Sequence, residues 1–321
     1  MTNYAPSAPL SVTVLSARAI DYQELLNKAD SPDVCIAQCA DSANDIDPQN
    51  VTILLADPGL AVQVIPECNK LVWCQSTWAG NAPLLKLAKQ DYQLTGVKGV
   101  FGAQMREFVF AYMLHFSRNI DAFRAAQTHT QTDKWCSPDY SRLCGKTLGI
   151  MGAGSIAKAL LPAAKIFNMN IIGLNNSGDP VEGFDGIFTA VDKKAFAGQC
   201  DYIVNLLPDT PATHNIIDSD FFNATKPHSV LINTGRGSAI DDDALLHALN
   251  NNQLQAAVLD VFSVEPLPDV HPFWAHPKVW VTQHSAAESF PEDIINIFLE
   301  NAARFQNSEP LKYQFDFEKG Y

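Results

Sequence analysis

The amino-acid sequence predicts an α/β fold with parallel sheets. Three observations carry this prediction: short apolar runs alternate with segments of helical period, a glycine-rich turn follows one such run, and 321 residues suit two domains. Hydrophobic residues make up 47% of the chain and charged residues 18%, which is typical of globular proteins and unlike disordered ones.

The chain before residue 125 is expected to contain four strands and one long helix. Candidate strands lie at residues 12–15, 34–37, 51–55 and 71–75, separated by turn residues rich in glycine and proline. Residues 104–124 predict the helix. Because it is apolar almost all round between Phe108 and Phe116, we expect it to be buried or to lie between domains.

From residue 146 onward, strands and helices alternate regularly. Candidate strands lie at residues 148–151, 171–174, 202–207, 230–233, 257–262 and 279–282. A final helix of 3.6-residue period is expected at 291–305. This order predicts a doubly wound sheet of six strands.

The composition argues against several classes of partner and location. The formal charge is −13 and no basic run occurs, so neither nucleic acid nor an anionic membrane surface is expected as a partner. No apolar stretch approaches the roughly 18 to 20 residues of a membrane-spanning helix, and residues 1–6 lack the features of a signal peptide. Seven scattered cysteines without a CxxC pair predict reduced, mostly buried thiols and a cytoplasmic protein.

A G-x-G-x-x-A turn opens the second βα series and predicts a binding site for the pyrophosphate of a dinucleotide. Gly152 permits the tight turn, and Gly154 lets backbone amides approach the phosphates at a helix N-terminus. Ala157 is small enough for the helix to pack on the strand. Ser155 and Ile156 begin this helix and are further candidate contacts with the cofactor.

Asn175 stands eighteen residues after Ala157, where a carboxylate usually binds the ribose hydroxyls of NAD. Without that carboxylate, a 2′-phosphate is no longer repelled, and Asn175, Asn176 and Ser177 can donate hydrogen bonds to it. No arginine, the usual partner of this phosphate, stands nearby. We expect NADP to be preferred over NAD; the alternative is a polar turn that discriminates between neither.

Three later strand ends each lead to a polar side chain: Arg236, Glu265 and His284. In a doubly wound sheet, ligands bind beyond the carboxyl ends of the strands. These side chains are therefore expected to converge where a nicotinamide ring would lie.

These segments closely resemble, in the same order, motifs of the D-isomer-specific 2-hydroxyacid dehydrogenases. The resemblance rests on the glycine loop, the Arg-Gly strand end, Asp-Val-Phe at 260–262, Glu-Pro-Leu-Pro at 265–268, His-Ser-Ala at 284–286 and Leu-Pro-Asp-Thr-Pro-Ala-Thr at 207–213. Residues 75–80 and 315–321 are similar to the glyoxylate/hydroxypyruvate reductase branch. The resemblance covers essentially the whole chain and departs from the family at Ala157, for the third glycine, and at Asn175, for the usual aspartate.

The resemblance implies a Rossmann-type cofactor domain, residues 104–286, inserted into a flavodoxin-like substrate domain made of residues 1–103 and 287–321. It also implies a homodimer that reduces a small 2-oxoacid to the D-2-hydroxyacid with a hydride from NAD(P)H. The additional cofactor contacts expected are Leu207, Pro208, Thr213, Thr234 and Gly235. The residues expected to bind the substrate carboxylate through their backbone are Thr77, Trp78, Ala79 and Gly80. Trp78 is expected to bound the substrate pocket, with a core position as the alternative.

The chemistry of reduction suggests a role for each polar side chain. His284 is the natural proton donor, since imidazole titrates near neutrality. Glu265 would favour the imidazolium and orient the ring. Arg236 can bind the substrate carboxylate and polarise the carbonyl. Asp260 is expected to hold the nicotinamide carboxamide, with a structural cap as the alternative.

Other functions are open at this point. Phosphite oxidation on the same scaffold is one, and a corepressor-like protein that senses nucleotides is another. Formate oxidation is disfavoured, because the related formate enzymes carry glutamine in place of Glu265. His271 and His276 are spaced by five but lack a completing set of ligands, so no metal is expected.

Overall fold

The structure is a computed structural model that describes residues 9–29, 31, 33–128 and 135–318. The chain divides into two compact units. Unit 1 comprises Met1–Val100 and Ser289–Tyr321, and unit 2 comprises Phe101–Glu288. The sequence placed the two crossings of the chain near residues 103 and 287. Residues 319–321, which end the C-terminal segment used for the resemblance, lie outside the described residues.

Unit 1 is a parallel five-stranded sheet flanked by helices. Its elements are β1 (Leu10–Leu15), α1 (Ala19–Lys28), β2 (Val34–Ala40), β3 (Ile53–Ala56), α2 (Pro58–Val64), β4 (Trp73–Ser76), α3 (Ala82–Leu85), β5 (Gln93–Thr95) and, from the C-terminal segment, α10 (Pro291–Gln306). The strand order is β2-β1-β3-β4-β5. The sequence did not predict β5, because three residues with a single aliphatic side chain form no recognisable apolar run.

Aromatic stacking fixes the C-terminal helix onto the sheet of unit 1. The ring of Trp73 is fully buried, and it stacks on Phe298 and Phe305 of α10 at centroid distances of 5.2 and 5.6 Å. Nδ2 of the buried Asn301 donates to Oε1 of Gln75 at 3.0 Å. The two chain segments that make up unit 1 are therefore packed against each other.

Unit 2 is a parallel seven-stranded sheet with helices. Its elements are α4 (Gly102–Ser117), α5 (Ile120–Thr128), β6 (Thr147–Met151), α6 (Ser155–Ile166), β7 (Asn170–Leu174), β8 (Gly186–Phe188), α7 (Lys193–Ala197), β9 (Tyr202–Asn205), α8 (Ser219–Ala224), β10 (Val230–Asn233), α9 (Asp242–Asn250), β11 (Ala256–Leu259) and β12 (Val279–Val281). The order is β12-β11-β10-β9-β6-β7-β8. The order in which the chain adds strands to the sheet reverses between β6 and β9. Doubly wound folds bind ligands at such a point.

The α/β fold with two parallel sheets is confirmed, but the count of six strands for the second sheet is wrong. The missed strand, β8, is three residues long, half-buried and at the edge of the sheet, so it carries no strong apolar signal. The predicted strands at 202–207 and 257–262 end earlier, at Asn205 and Leu259. The apolar residues that follow belong to the loops at the carboxyl edge.

The single long helix predicted at residues 104–124 is also wrong. The structure has two helices, α4 and α5, separated at Asn119, whose φ of 50° is left-handed. Asparagine tolerates this conformation better than most residues, so it ends α4 without a glycine. The predicted burial holds for one face of α4: Val109, Phe110 and Met113 belong to the core that contains β6.

The thiols are less buried than the sequence suggested. All seven cysteines are free, and only Cys68, Cys74 and Cys200 are buried. Cys35 is exposed because β2 is an edge strand, and Cys136 and Cys144 lie in the segment between α5 and β6. In the ranges that the structure describes, no helix has the length and apolar character needed to cross a membrane.

Candidate active site

The glycine turn lies between the end of β6 and the start of α6. Gly152 has φ +99°, and a Cβ there would lie 3.1 Å from the carbonyl carbon and oxygen of Leu206. A side chain would therefore be strained at this position. Gly154 has an ordinary φ, and nothing lies within 4 Å of a Cβ built on it. Ala157 is fully buried, as expected for the small residue at which the helix packs on the strand.

Two features of this edge fit a dinucleotide. The space at Gly154 adjoins the N-terminus of α6, where free amides and the helix dipole favour an anion. In addition, the hydroxyl of Thr234 is buried and has no hydrogen-bond partner among the described residues. Buried hydroxyls are normally satisfied, so Thr234 is suited to contact a ligand.

The loop after β9 is closed by its own side chains. Oγ1 of Thr213 donates to the carbonyl of Pro208 at 2.6 Å and accepts the N–H of Thr210 at 3.0 Å. Leu207 is buried, whereas Pro208 is exposed. The hydroxyl of Thr213 thus shapes the loop, and its contact with a cofactor stays a prediction.

The end of β7 forms a compact polar turn. Oδ1 of Asn175 accepts the N–H of Gly178 at 2.7 Å, and Nδ2 donates weakly to the carbonyl of Asp179 at 3.3 Å. Oγ of Ser177 accepts the N–H of Asp179 at 3.2 Å, which leaves the hydroxyl hydrogen to donate elsewhere. Asn176 is exposed. The side chain of Asn175 therefore stabilises this turn. It stands at the position where a carboxylate usually binds the ribose hydroxyls.

His284 and Glu265 form a hydrogen-bonded pair beyond the ends of β11 and β12. Nδ1 of His284 lies 2.8 Å from Oε2 of Glu265, and the two side chains are 57% and 37% exposed. Oε1 of Glu265 accepts the N–H of Phe262 at 2.9 Å, which orients the carboxylate. With Nδ1 engaged, Nε2 is the imidazole nitrogen left for other contacts.

Asp260 anchors the segment that carries His284. Its carboxylate is only 1% exposed and accepts three hydrogen bonds from that segment: from the hydroxyl of Thr282 at 2.6 Å and from the N–H groups of Ser285 and Ala286 at 2.8 and 3.1 Å. The N–H of His284 donates to the carbonyl of Asp260 at 2.8 Å. This network supports the left-handed backbone of His284, whose φ is 54°. It corresponds to the structural cap considered from the sequence, and a contact with nicotinamide stays a prediction.

Arg236 is held between two glycines that make close backbone contacts. A Cβ on Gly235 would lie 3.0 Å from backbone atoms of Leu207, and one on Gly237 would overlap Phe262 at 1.9 Å. The guanidinium Nη1 of Arg236 donates to the carbonyl of Gly235 at 2.7 Å. The packing at Gly237 brings the Arg236 segment against the segment leading to Glu265. Arg236, Glu265 and His284 thus extend from the same edge of three adjacent strands.

A cavity of about 590 Å³ adjoins the His284–Glu265 pair. Both members of the pair line it, and Phe262, Leu267 and Trp274 contribute apolar walls. The His284–Glu265 pair is therefore bordered by apolar surface on this side.

Two buried asparagines at this edge were missed by sequence reasoning. Asn205 and Asn233 are fully buried, end β9 and β10, and are register partners across the two strands. Nδ2 of Asn205 donates to Oδ1 of Asn233 at 2.8 Å. The available signal was an asparagine within each of the predicted strands at 202–207 and 230–233, but local periodicity does not show which side chain lies opposite it in the neighbouring strand.

In unit 1, Thr77, Trp78, Ala79 and Gly80 follow β4. The hydroxyl of Thr77 is buried and donates to Oδ1 of Asp57 at 2.5 Å. Nδ2 of Asn81 donates to the carbonyls of Trp78 and Ala79 at 3.2 and 3.4 Å. Asp57 and Asn81 shape this loop and were not singled out in the sequence. Trp78 is 52% exposed, which rules out the core alternative.

Comparison with known proteins places this geometry in a family. The profile for "D-isomer specific 2-hydroxyacid dehydrogenase, NAD binding domain" matches residues 110–286. Glyoxylate/hydroxypyruvate reductase A of Serratia proteamaculans is 33% identical over 245 residues, which cover 76% of this chain and 74% of the relative.

Two solved structures extend the likeness to nearly the whole chain. A D-isomer specific 2-hydroxyacid dehydrogenase family protein from Aeromonas salmonicida has a TM-score of 0.90 and 38% identity, covering 97% of this chain and 100% of that one. The NADPH-dependent glyoxylate/hydroxypyruvate reductase of Sinorhizobium meliloti, in complex with NADP and sulfate, has a TM-score of 0.84 and 26% identity, with 97% and 100% coverage. The protein is therefore an oxidoreductase that belongs to the D-isomer specific 2-hydroxyacid dehydrogenase family.

Proposed function

We propose that this protein reduces small 2-oxoacids of the glyoxylate and hydroxypyruvate type to D-2-hydroxyacids, with NADPH preferred over NADH. The observation that carries the proposal is the His284–Glu265 pair at 2.8 Å, on the same sheet edge as Arg236. The reductases from Serratia and Sinorhizobium support the choice of substrate class.

Unit 2 carries the residues proposed to hold the cofactor. The amides at Gly154, Ser155 and Ile156 would bind the pyrophosphate at the start of α6. The buried hydroxyl of Thr234, for which the described part of the chain offers no hydrogen-bond partner, is a further candidate contact. When bound, the reduced nicotinamide supplies the hydride for the carbonyl carbon.

His284 is the proposed acid. Because Nδ1 is engaged by Glu265, the proton for the substrate carbonyl oxygen would leave from Nε2. The carboxylate of Glu265 stabilises the charged ring and fixes its orientation, and the Phe262 N–H fixes the carboxylate in turn. Asp260 contributes by holding the backbone of His284 in its left-handed conformation.

Arg236 is the proposed anion contact. Its guanidinium can form paired hydrogen bonds with the substrate carboxylate and stabilise negative charge that develops on the carbonyl oxygen. In unit 1, the backbone of Thr77 to Gly80 is proposed, from the family resemblance, to bind the substrate carboxylate. The bonds from Thr77 to Asp57 and from Asn81 to the loop carbonyls support a fixed loop shape there.

The preference for NADPH rests on the end of β7. Asn175 replaces the usual acid, and the exposed Asn176 and the hydroxyl of Ser177 can donate to a 2′-phosphate. A homodimer is also proposed, on the resemblance alone. Light scattering on the purified protein would contradict it by giving the mass of a monomer.

One assay tests the activity directly. Oxidation of NADPH and of NADH is followed spectrophotometrically with glyoxylate, hydroxypyruvate, pyruvate and phenylpyruvate. We expect the fastest turnover with the two smallest acids and NADPH. Turnover only with phenylpyruvate would overturn the substrate class, faster turnover with NADH would overturn the cofactor preference, and no turnover with any pair would overturn the activity.

A further inference from the structure

The buried amides of Asn205 and Asn233 connect the two loops that follow the central strands of unit 2. Oδ1 of Asn205 accepts the N–H of Leu207 at 3.2 Å, and its Nδ2 donates to Oδ1 of Asn233 at 2.8 Å. Both side chains are fully buried. Each partner is thus fixed by the other, and a buried amide that lost its partner would carry a desolvation cost.

Asn233 makes two more hydrogen bonds, and both end at the Arg236 segment. Its Oδ1 accepts the N–H of Gly235 at 3.2 Å, and its Nδ2 donates to the carbonyl of Arg236 at 3.2 Å. The Arg236 guanidinium in turn donates to the carbonyl of Gly235 at 2.7 Å. Asn233 therefore holds both the backbone of Arg236 and the residue on which the guanidinium rests.

We propose that Asn233, supported by Asn205, is a positioning residue that sets the direction of the Arg236 guanidinium. Arg236 has a half-buried side chain on a short turn between two glycines, and a glycine backbone alone does not restrict the turn. The side-chain amide of Asn233 restricts the turn by accepting from the N–H of Gly235 and donating to the carbonyl of Arg236. Replacing the donor Nδ2 by an acceptor should therefore change the orientation of the Arg236 guanidinium without altering the volume of the core.

The test is the isosteric variant Asn233→Asp. It keeps an acceptor for Gly235 and for Asn205, but it sets a carboxylate oxygen against the carbonyl of Arg236. We expect kcat/KM for glyoxylate to fall by at least about tenfold, the equivalent of one lost buried hydrogen bond. The Kd of NADPH, measured by fluorescence without substrate, is expected to change by less than about threefold, since the glycine turn is untouched and the acceptor for the N–H of Gly235, a proposed cofactor contact, is kept. Asn170→Asp, the same change at the exposed start of β7, is the matched control and should leave both values unchanged.

A double-mutant cycle separates positioning from a merely structural role. If Asn233 acts through Arg236, then Asn233→Asp costs little further kcat/KM in an Arg236→Lys background, where the guanidinium is already gone. Additive losses in the cycle, or wild-type kcat/KM for Asn233→Asp alone, would overturn the inference. A loss of NADPH binding that matches the loss of kcat/KM would also overturn it, because the damage would then be general.

The inference rests on the proposed role of Arg236. The variants of the same cycle distinguish a failure of that role from a failure of the positioning role of Asn233. Full activity of Arg236→Lys and of Arg236→Ala would defeat the proposed anion contact itself. Impaired Arg236 variants beside an unimpaired Asn233→Asp would leave that contact in place and defeat only the positioning role.

Discussion

Nδ1 of His284 lies 2.8 Å from Oε2 of Glu265, although nineteen residues separate them along the chain. Both residues lie beyond the ends of their strands, so contacts outside the strands hold them in place. The N–H of Phe262 donates to the carboxylate of Glu265 and closes the loop between them. Asp260 accepts hydrogen bonds from the His284 N–H, from the Thr282 hydroxyl before it and from the Ser285 N–H after it. The acid proposed for the reaction is therefore oriented by hydrogen bonds within the two loops.

Replacing His284 tests its role as the acid. His284→Gln removes the proton donor at Nε2 but touches no residue of the glycine turn. We expect kcat to fall by about 10² to 10⁴-fold, with the Kd of NADPH nearly unchanged in a fluorescence titration. His247→Gln, the same change on the exposed side of α9, serves as the control. Substantial turnover by His284→Gln would mean that another group delivers the proton.

Substitution of Gly152 should reduce stability, whereas substitution of Gly154 should weaken NADPH binding. Gly152→Ala forces a side chain onto φ +99° and against Leu206, so we expect a lower melting temperature, by the equivalent of about 1–3 kcal/mol. Gly154→Ala meets open space in the structure, so the melting temperature should hold while NADPH binding weakens at the pyrophosphate.

Thermal unfolding with and without NADPH measures both effects. Gly59→Ala, which also meets open space, is the control and should leave NADPH binding unchanged. Normal NADPH affinity in Gly154→Ala would argue against a pyrophosphate at this helix start.

The cofactor preference should shift with one residue. Asn175→Asp restores the carboxylate that repels a 2′-phosphate, and it keeps an acceptor for the N–H of Gly178. We expect the ratio of kcat/KM for NADPH to that for NADH to fall by at least about tenfold, the equivalent of 1.4 kcal/mol. Asn223→Asp, on an exposed side chain of α8 outside the proposed cofactor site, shows how much of any change comes from added charge alone. An unchanged ratio in Asn175→Asp would refute the role assigned to this strand end.

Asp201 lies immediately before β9, at the amino end of the strand. Its surroundings predict that part of the protein's stability is lost in acid. Burial raises the pKa of this carboxyl, but the N–H of Thr147, the ring of His228 and two lysine charges together bring the pKa below its ordinary value. A carboxyl with a lowered pKa stabilises the fold above its unfolded-state pKa, about 3.9, and this contribution is lost as the pH falls through the lower folded-state value.

The variant Asp201→Asn should therefore be less stable than the wild type at pH 7, by about 1–3 kcal/mol. The difference in melting temperature should shrink as the pH falls below about 4. Asp220→Asn, which loses a surface ion pair with Lys194, should change stability by less than about 1 kcal/mol at either pH. A difference for Asp201→Asn that stays constant into acid would contradict the linkage.

Local patterns in the sequence were enough for the α/β class, most strands and the candidate residues at the strand ends. Arg236, Glu265 and His284 could be singled out because each follows an apolar run, and parallel strands bring their carboxyl ends to one edge. The glycine turn was readable because Gly152 needs a conformation that few residues adopt. Each of these signals is contained within a few consecutive residues of the chain.

The tertiary structure alone decided which distant groups meet. β8 exists because the edge of β7 offers it backbone partners, and the helix break at Asn119 depends on a left-handed turn that apolar periodicity does not show. The pairing of Asn205 with Asn233 depends on the register of two strands twenty-eight residues apart. Hydrogen-bond partners of this kind are chosen only when packing has excluded water, so the role of an asparagine in a strand cannot be inferred until its neighbour across the sheet is known.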